Sequence, residues 1–253
     1  MLESLKRFFS KPGVERDLVD VAEWAARRGH GFRRARGDAG FVVEGVLEGK
    51  PWRMEWGPPQ RPYIEGHELR LRMELALTSD AQMLLLSRPL MDTLEHQTFE
   101  EFTDNVQTQI GTKTPEEMRW LVMFPKVDLG EMKSLRARFG AVASDPAVGL
   151  SWIAGPLANQ LDAAMNSFLA NDPPFVLMTL RGRAYLRLQL ATPDAAVIGA
   201  ALDLFETAVS QALLATTTTA GASGEPTTGW GPTASTAWQS LQPPDAEGGT
   251  PRK

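Results

Sequence analysis

Cysteine is absent from this 253-residue chain, and that absence excludes disulfides, thiolate metal sites and cysteine nucleophiles together. Histidine is scarce: His30, His67 and His96 are scattered, and none stands in an HExxH or comparable ligand spacing. His96 follows Asp92 by four residues, and that pair falls short of the three or four ligands a metal site uses. No metal and no cofactor is therefore expected. The chain also lacks a GxSxG elbow, a P-loop and a GxGxxG fingerprint. Glu100, Glu101 and Asp104 in "FEEFTD" have the spacing of the wet face of a helix.

Long apolar runs are missing as well. The opening "MLESLKRFFSKPG" has no secretory apolar core, and no run approaches the ~18 apolar residues of a spanning helix. A cytoplasmic protein is the expectation. Arginine outnumbers lysine 19 to 7, a codon signature of a GC-rich, bacterial source. The net charge of −5 gives no global attraction to nucleic acid or to an anionic membrane.

What is present is a regular alternation of elements. "VERDLVDVAEWAARRGHG" has helical spacing at Val14, Leu18, Val21, Ala22 and Ala25. "GFVVEGVLEGKPWRMEW" predicts two strands about a tight turn at Glu48-Gly49-Lys50, with Trp52, Met54 and Trp56 facing the core. "GPPQRP" must be a loop. From Tyr63 to Leu77 the strict alternation predicts one long strand, with Glu68, Arg70, Arg72 and Glu74 on a solvated face. Arg53, Glu55 and those residues form a mixed-charge ladder.

"AQMLLLS" predicts a strand and "PLMDTLEHQTFEEFTDNV" a helix. "MRWLVMFP", apolar on both faces, predicts a central strand, and "SLRARFGAVA" a further alternating one. Ser144 or Asp145 caps the next helix, which Gly155-Pro156 kinks or splits. A hairpin about Arg181-Gly182 and a last helix capped at Thr192 or Asp194 complete the pattern.

The fold class is α+β: an antiparallel β-meander with flanking amphipathic helices and a disordered C-terminal tail. Residues 1–13 form a short amphipathic segment, 14–215 one globular region with a candidate seam at 108–117, and 216–253 a low-complexity tail. "RFGAVASDPAVGLSWIAGPLANQLDAA", "FVLMTLRGRAYLRLQL" and the terminal amphipathic helix together resemble uncharacterised bacterial α+β domains over about residues 134–214. The resemblance implies no activity, cofactor or functional residue.

Four candidate sites follow. Arg61, Tyr63, His67 and Glu68 gather polar and aromatic groups beside a rigid proline loop, where binding residues tend to sit. Arg33, Arg34 and Arg36 belong to the arginine-rich "RRGHGFRRAR", and guanidinium clusters bind phosphate or carboxylate. Only Phe32 interleaves that cluster, which argues against a single-strand nucleic-acid groove. Leu2, Leu5, Phe8 and Phe9 against Lys6, Arg7 and Lys11 suit a membrane surface or a partner groove. Trp230 and Trp238 are candidate anchors for another protein. The reading that results is a non-enzymatic binding or scaffold protein, its ligand or partner unnamed. The alternatives are a hydrolase or transferase of unrecognised motif, and a peripheral membrane module using residues 2–11.

Overall fold

A computed structural model describes residues 12–35, 40–75, 77, 81–104 and 115–222. The first helix, α1 (Pro12–Arg27), leads into a meander of four strands: β1 (Gly31–Arg34), β2 (Phe41–Leu47), β3 (Lys50–Gly57) and β4 (Glu68–Glu74). Then come β5 (Met83–Ser87), α2 (Arg88–Asp104), α3 (Glu116–Met123), α4 (Lys133–Arg138) and β6 (Phe139–Ala143). Two short helices, α5 (Pro146–Ile153) and α6 (Pro156–Met165), precede the hairpin β7 (Phe175–Leu180) and β8 (Arg183–Gln189) and the long α7 (Ala195–Ala222). The eight strands form one antiparallel sheet in the order β1-β2-β3-β4-β8-β7-β5-β6, so the fold is α+β.

Local chemistry explains most boundaries. Glu48 and Gly49 both have positive φ, 51° and 79°, the twist that a two-residue hairpin turn requires. The Asp145 carboxylate accepts from Ala147 N at 2.9 Å to cap α5. Gly155 at φ 73° followed by Pro156 ends that helix and starts α6. Asp194 caps α7 by accepting from Ala196 N and Val197 N.

One sheet face packs against α1, α5, α6 and α7. Its core includes Trp52, Met54, Trp56, Leu69, Leu71, Leu186 and, from α7, Ile198, Leu202, Phe205 and Val209. Against the expectation that no stretch approaches a spanning helix, α7 has the length and composition of one, yet these residues are buried against the protein's own sheet. The opposite face divides in two. Over β5, β6 and β7 it is apolar, and α2 and α3 cover it through Leu90, Leu94, Met118 and Trp120. Over β2, β3, β4 and β8 it carries the charged residues of the ladder.

Three expectations are corrected here. "MRWLVMFP" is not a central strand but the helix α3 and its exit, with Glu117, Met118 and Trp120 buried and Val122 and Met123 exposed. An apolar run this short fits a buried strand or a short helix equally well, and burial against α2 and the sheet selects the helix. Strand β4 begins at Glu68, so Tyr63 to His67 belong to the loop, where Gly66 takes φ 71°. Residues 133–138 are helical, and only 139–143 form the edge strand β6.

At the C-terminal end, helix α7 continues past Thr216 to Ala222. The hydroxyls of Thr216, Thr217 and Thr218 donate back to the carbonyls of Ala212, Leu213 and Leu214, an arrangement a helix tolerates. The remainder of the tail, with Trp230 and Trp238, lies outside the described residues. So do residues 2–11, Arg36 and 108–114 of the seam.

Candidate functional site

The charged sheet face holds an ion-pair network around two carboxylates with no solvent exposure, Glu68 and Glu117. Glu68 is on the face expected to be solvated, but pairing of β4 with β8 sets Arg70 opposite Arg187 and leaves Glu68 between them. Arg187 Nη1 donates to Glu68 Oε1 at 2.5 Å, Gln60 N donates to Oε2 at 2.7 Å, and Arg70 Nη1 stands 3.4 Å from Oε2. Arg70 also donates to the Pro58 carbonyl and to Glu55.

Glu117 descends from α3 onto the same face. Arg61 Nε donates to its Oε1 at 2.8 Å and the Tyr63 hydroxyl at 2.7 Å. Burial alone would raise the Glu117 carboxyl, but the Arg61 charge and the bonds from Arg61 and Tyr63 outweigh it and hold it below the ordinary glutamate range. Burial and the Glu117 charge push the Tyr63 hydroxyl well above the usual tyrosine range.

The proline-loop residues are thus only partly a group. Arg61, Tyr63 and Glu68 join one network through Glu117, Arg70 and Arg187, whereas His67 turns to the other face and stacks on Trp56, with centroids 4.4 Å apart and planes at 5°. Sequence reasoning missed Glu117 because it lay at the end of the polar stretch of the candidate seam, before the segment expected to be a strand. It missed Arg187 because the β4–β8 pairing is long-range. With its guanidiniums matched to carboxylates, the network chiefly fastens α3 and the proline loop to the sheet.

Arg33 and Arg34 are also paired, with Glu44 at 3.1 Å and Glu15 at 2.9 Å. They sit on the edge strand β1 and form no common anion cradle with each other. His96 stands 3.5 Å from Glu100 on α2. Among the described residues no three His, Asp or Glu side chains gather as metal ligands would.

A second place has a different character. The pairing of β3 with β4 stops at Trp52↔Met73, and Pro51 has no N–H to carry it further. The β2–β3 hairpin continues to Leu47↔Lys50, and at this open end lies a groove of about 950 Å³. Its walls include His30, Val46, Pro51, Trp52, Arg72 and Met73. Gly45 lets the Trp52 indole and the His30 ring approach the backbone: a Cβ there would stand 2.4 Å from the indole and 2.8 Å from His30 Nδ1. His30 meets Trp52 edge to face at 4.8 Å. Burial, and then the Arg28 charge, lower the imidazole's pKa and favour its neutral form.

Beside the groove one buried donor lacks a hydrogen-bond partner, as do Arg70 Nε, Glu95 Oε1, Glu117 Oε2 and Arg119 Nε elsewhere among the described residues. Trp56 Nε1 donates to the Leu190 carbonyl at 2.8 Å and Trp152 Nε1 to that of Ala208 at 2.9 Å. Trp52 is equally buried, yet its Nε1 has no acceptor. A buried donor without a partner is costly and calls for an explanation. Sequence reading placed Trp52 in the core but could not see that a groove borders it.

No protein-family model matches this chain, and no curated protein matches it. Among solved structures, the crystal structure of the mycobacterial trehalose monomycolate transport factor A, TtfA, is similar in the course of its chain, at 7% identity and a TM-score of 0.46, over 79% of this chain and 95% of that one.

Proposed function

We propose that this is a non-catalytic binding protein whose ligand site is the groove at the open end of β2, β3 and β4. One observation carries the reading: Arg72, in the groove wall, is exposed and has no hydrogen bond or ion pair among the described residues. A ligand acceptor seated in the groove would satisfy it. The volume, about 950 Å³, is at the upper end of the range for small-molecule sites, and Val46, Pro51, Trp52 and Met73 give it apolar surface beside four arginines and two glutamates.

The network around Glu68 and Glu117 supports the same reading from the other side. Arg61, Arg70 and Arg187 each pair with Glu68 or Glu117, although Glu117 Oε2 and Arg70 Nε have no hydrogen-bond partner, and such charge pairing suits a scaffold better than an acid–base pair. The test is a fragment screen read by the indole N–H resonances, with Trp52 assigned from Trp52→Phe. Fragments should shift the Trp52 resonance in the wild-type protein and not in Val46→Trp, where the exposed Val46 is replaced by a side chain that fills the groove. A screen in which no fragment moves Trp52 would refute the proposal.

A further inference from the structure

A second, smaller hollow lies against β6, at the opposite edge of the sheet from β1. The chain before α4 pairs with that edge only briefly: Lys126 bridges Val142, and Val127 N donates to the Ala141 carbonyl at 2.9 Å. It then turns at Asp128, whose Oδ1 accepts from Gly130 N at 2.9 Å, with Gly130 at φ 48°. Between this turn and the strand is a pocket of about 290 Å³, lined by Gly140 and by Arg88 and Met91 from the start of α2. A side chain at position 140 would close it: a Cβ there would collide with Met91 Sδ and stand 3.1 Å from Arg88 Nη1.

The charges of this pocket are not matched. Among the described residues, Arg16, Arg72, Arg88 and Arg136 meet no carboxylate, and of these only Arg88 is partly buried. Arg88 and Arg136 both line the pocket. Arg88 Nη2 donates to the carbonyls of Arg136 at 3.0 Å and Phe139 at 2.7 Å, which caps the end of α4. Its Nη1, over Gly140, has only the Met91 thioether at 3.9 Å, and a thioether is a weak acceptor. The guanidinium is thus fastened by one end and open at the other. Lys126, also in the lining, is already paired with Glu95 at 2.9 Å. Asp128 is the lining's one carboxylate, exposed and without an ion pair among the described residues. Two arginines without carboxylates against one aspartate leave the pocket positive.

We infer that this pocket binds a compact oxyanion of the phosphate or sulfate class, with Arg88 as the fixed anchor and the exposed Arg136 as a second donor. A site at β6 is separate from the groove and stands or falls without it. Arginine suits the role because its planar fork pairs with two oxygens of one oxyanion. A tetrahedral oxyanion has oxygens for two such forks, whereas a carboxylate satisfies one. The volume lies just under the roughly 300–1,000 Å³ of drug-sized sites, which suits a compact ion.

The test titrates the full chain with phosphate, sulfate, acetate or chloride at constant ionic strength, followed by the Gly140 amide resonance. Phosphate and sulfate should shift it saturably and compete with each other, and chloride should not shift it. Arg136→Ala should weaken phosphate about ten- to a hundredfold, the usual loss for a hydrogen bond between charged groups. Arg136 has no partner to lose, so its melting should match wild type and the loss can be assigned to binding. Arg88→Lys keeps the charge and can still reach a carbonyl of α4, but it lacks the fork and should also bind phosphate more weakly. Asp128→Asn keeps an acceptor for Gly130 N and removes the opposing charge, so it should tighten binding. Arg16→Ala, equally unpaired but on α1, should bind as wild type does. Glycerol phosphate binding more tightly than phosphate would support the site and identify an esterified source; weaker binding would support it and identify a free ion. The inference is overturned if no anion shifts Gly140 saturably, or if acetate binds as tightly as phosphate. Phosphate affinity unchanged in both Arg136→Ala and Arg88→Lys would overturn it equally.

Discussion

Removing Glu117 puts the ion-pair network to its most direct test. Glu117→Ala deletes the acceptor shared by Arg61 and Tyr63 and leaves a guanidinium and a phenol facing a void between α3 and the sheet. Breaking a buried pair by removing one partner costs about 3–5 kcal/mol. The Arg61 side chain is a quarter exposed and can recover some water, which places the expected loss near the bottom of that range, about 3 kcal/mol. For a folded region of this size that corresponds to roughly 6–12 °C in thermal midpoint. Urea melts of wild type, Glu117→Ala, Arg61→Ala and the double variant would measure the coupling between the pair. The pH dependence follows from the sign of the shift. A carboxyl more acidic when folded binds fewer protons there, so its stabilisation is complete above the ordinary glutamate value of about 4.3 and is lost as pH falls through the lower folded value. Wild type should thus lose its advantage over Glu117→Ala on acidification below that value. A cost under about 1 kcal/mol, as exposed pairs show, or an advantage independent of pH down to 3, would refute the claim that Glu117 is a buried, charged clasp.

Tyr63 gives the opposite limb: a hydroxyl less acidic when folded stabilises fully below about pH 10 and loses that contribution above it, so Tyr63→Phe should flatten the alkaline decline in melting temperature. Trp52→Ala should cost about 3–5 kcal/mol as a fully buried tryptophan, measured by urea unfolding. Arg70→Ala should cost about 1–3 kcal/mol rather than the fraction expected of an exposed ladder position, because its side chain is only 16% exposed and bonds to Glu55, Glu68 and Pro58; a neutral result by the same assay would mean the network is dispensable. Glu48→Gly should stabilise by up to about 1 kcal/mol, since Glu48 takes φ 51°, and a destabilised hairpin in thermal melts would contradict the turn geometry.

Where the chain turns, caps or breaks was settled by residues close together in sequence. Glu48-Gly49, Asp145-Pro146, Gly155-Pro156, Arg181-Gly182 and Asp194 each fix their boundary through their own backbone or side chain, so the sequence alone determined them, along with the core face of β3 at Trp52, Met54 and Trp56. The alternation in β4 was legible for the same reason, and it also misled, because it predicts which residues share a face and not what covers that face. Only the pairing of β4 with β8, more than a hundred residues apart, brings Arg187 to Glu68. Only the packing of α3 on α2 and the sheet decides that Glu117 points inward while Val122 and Met123 do not. The groove is a product of the same long-range geometry: it exists because β3 and β4 part at Pro51 while the hairpin runs on. Arg72 differs from Arg70, two residues away, in which neighbours the fold sets beside it. An arginine's charge is written in the sequence, but whether a carboxylate meets it or it stays unpaired is decided by the strand order.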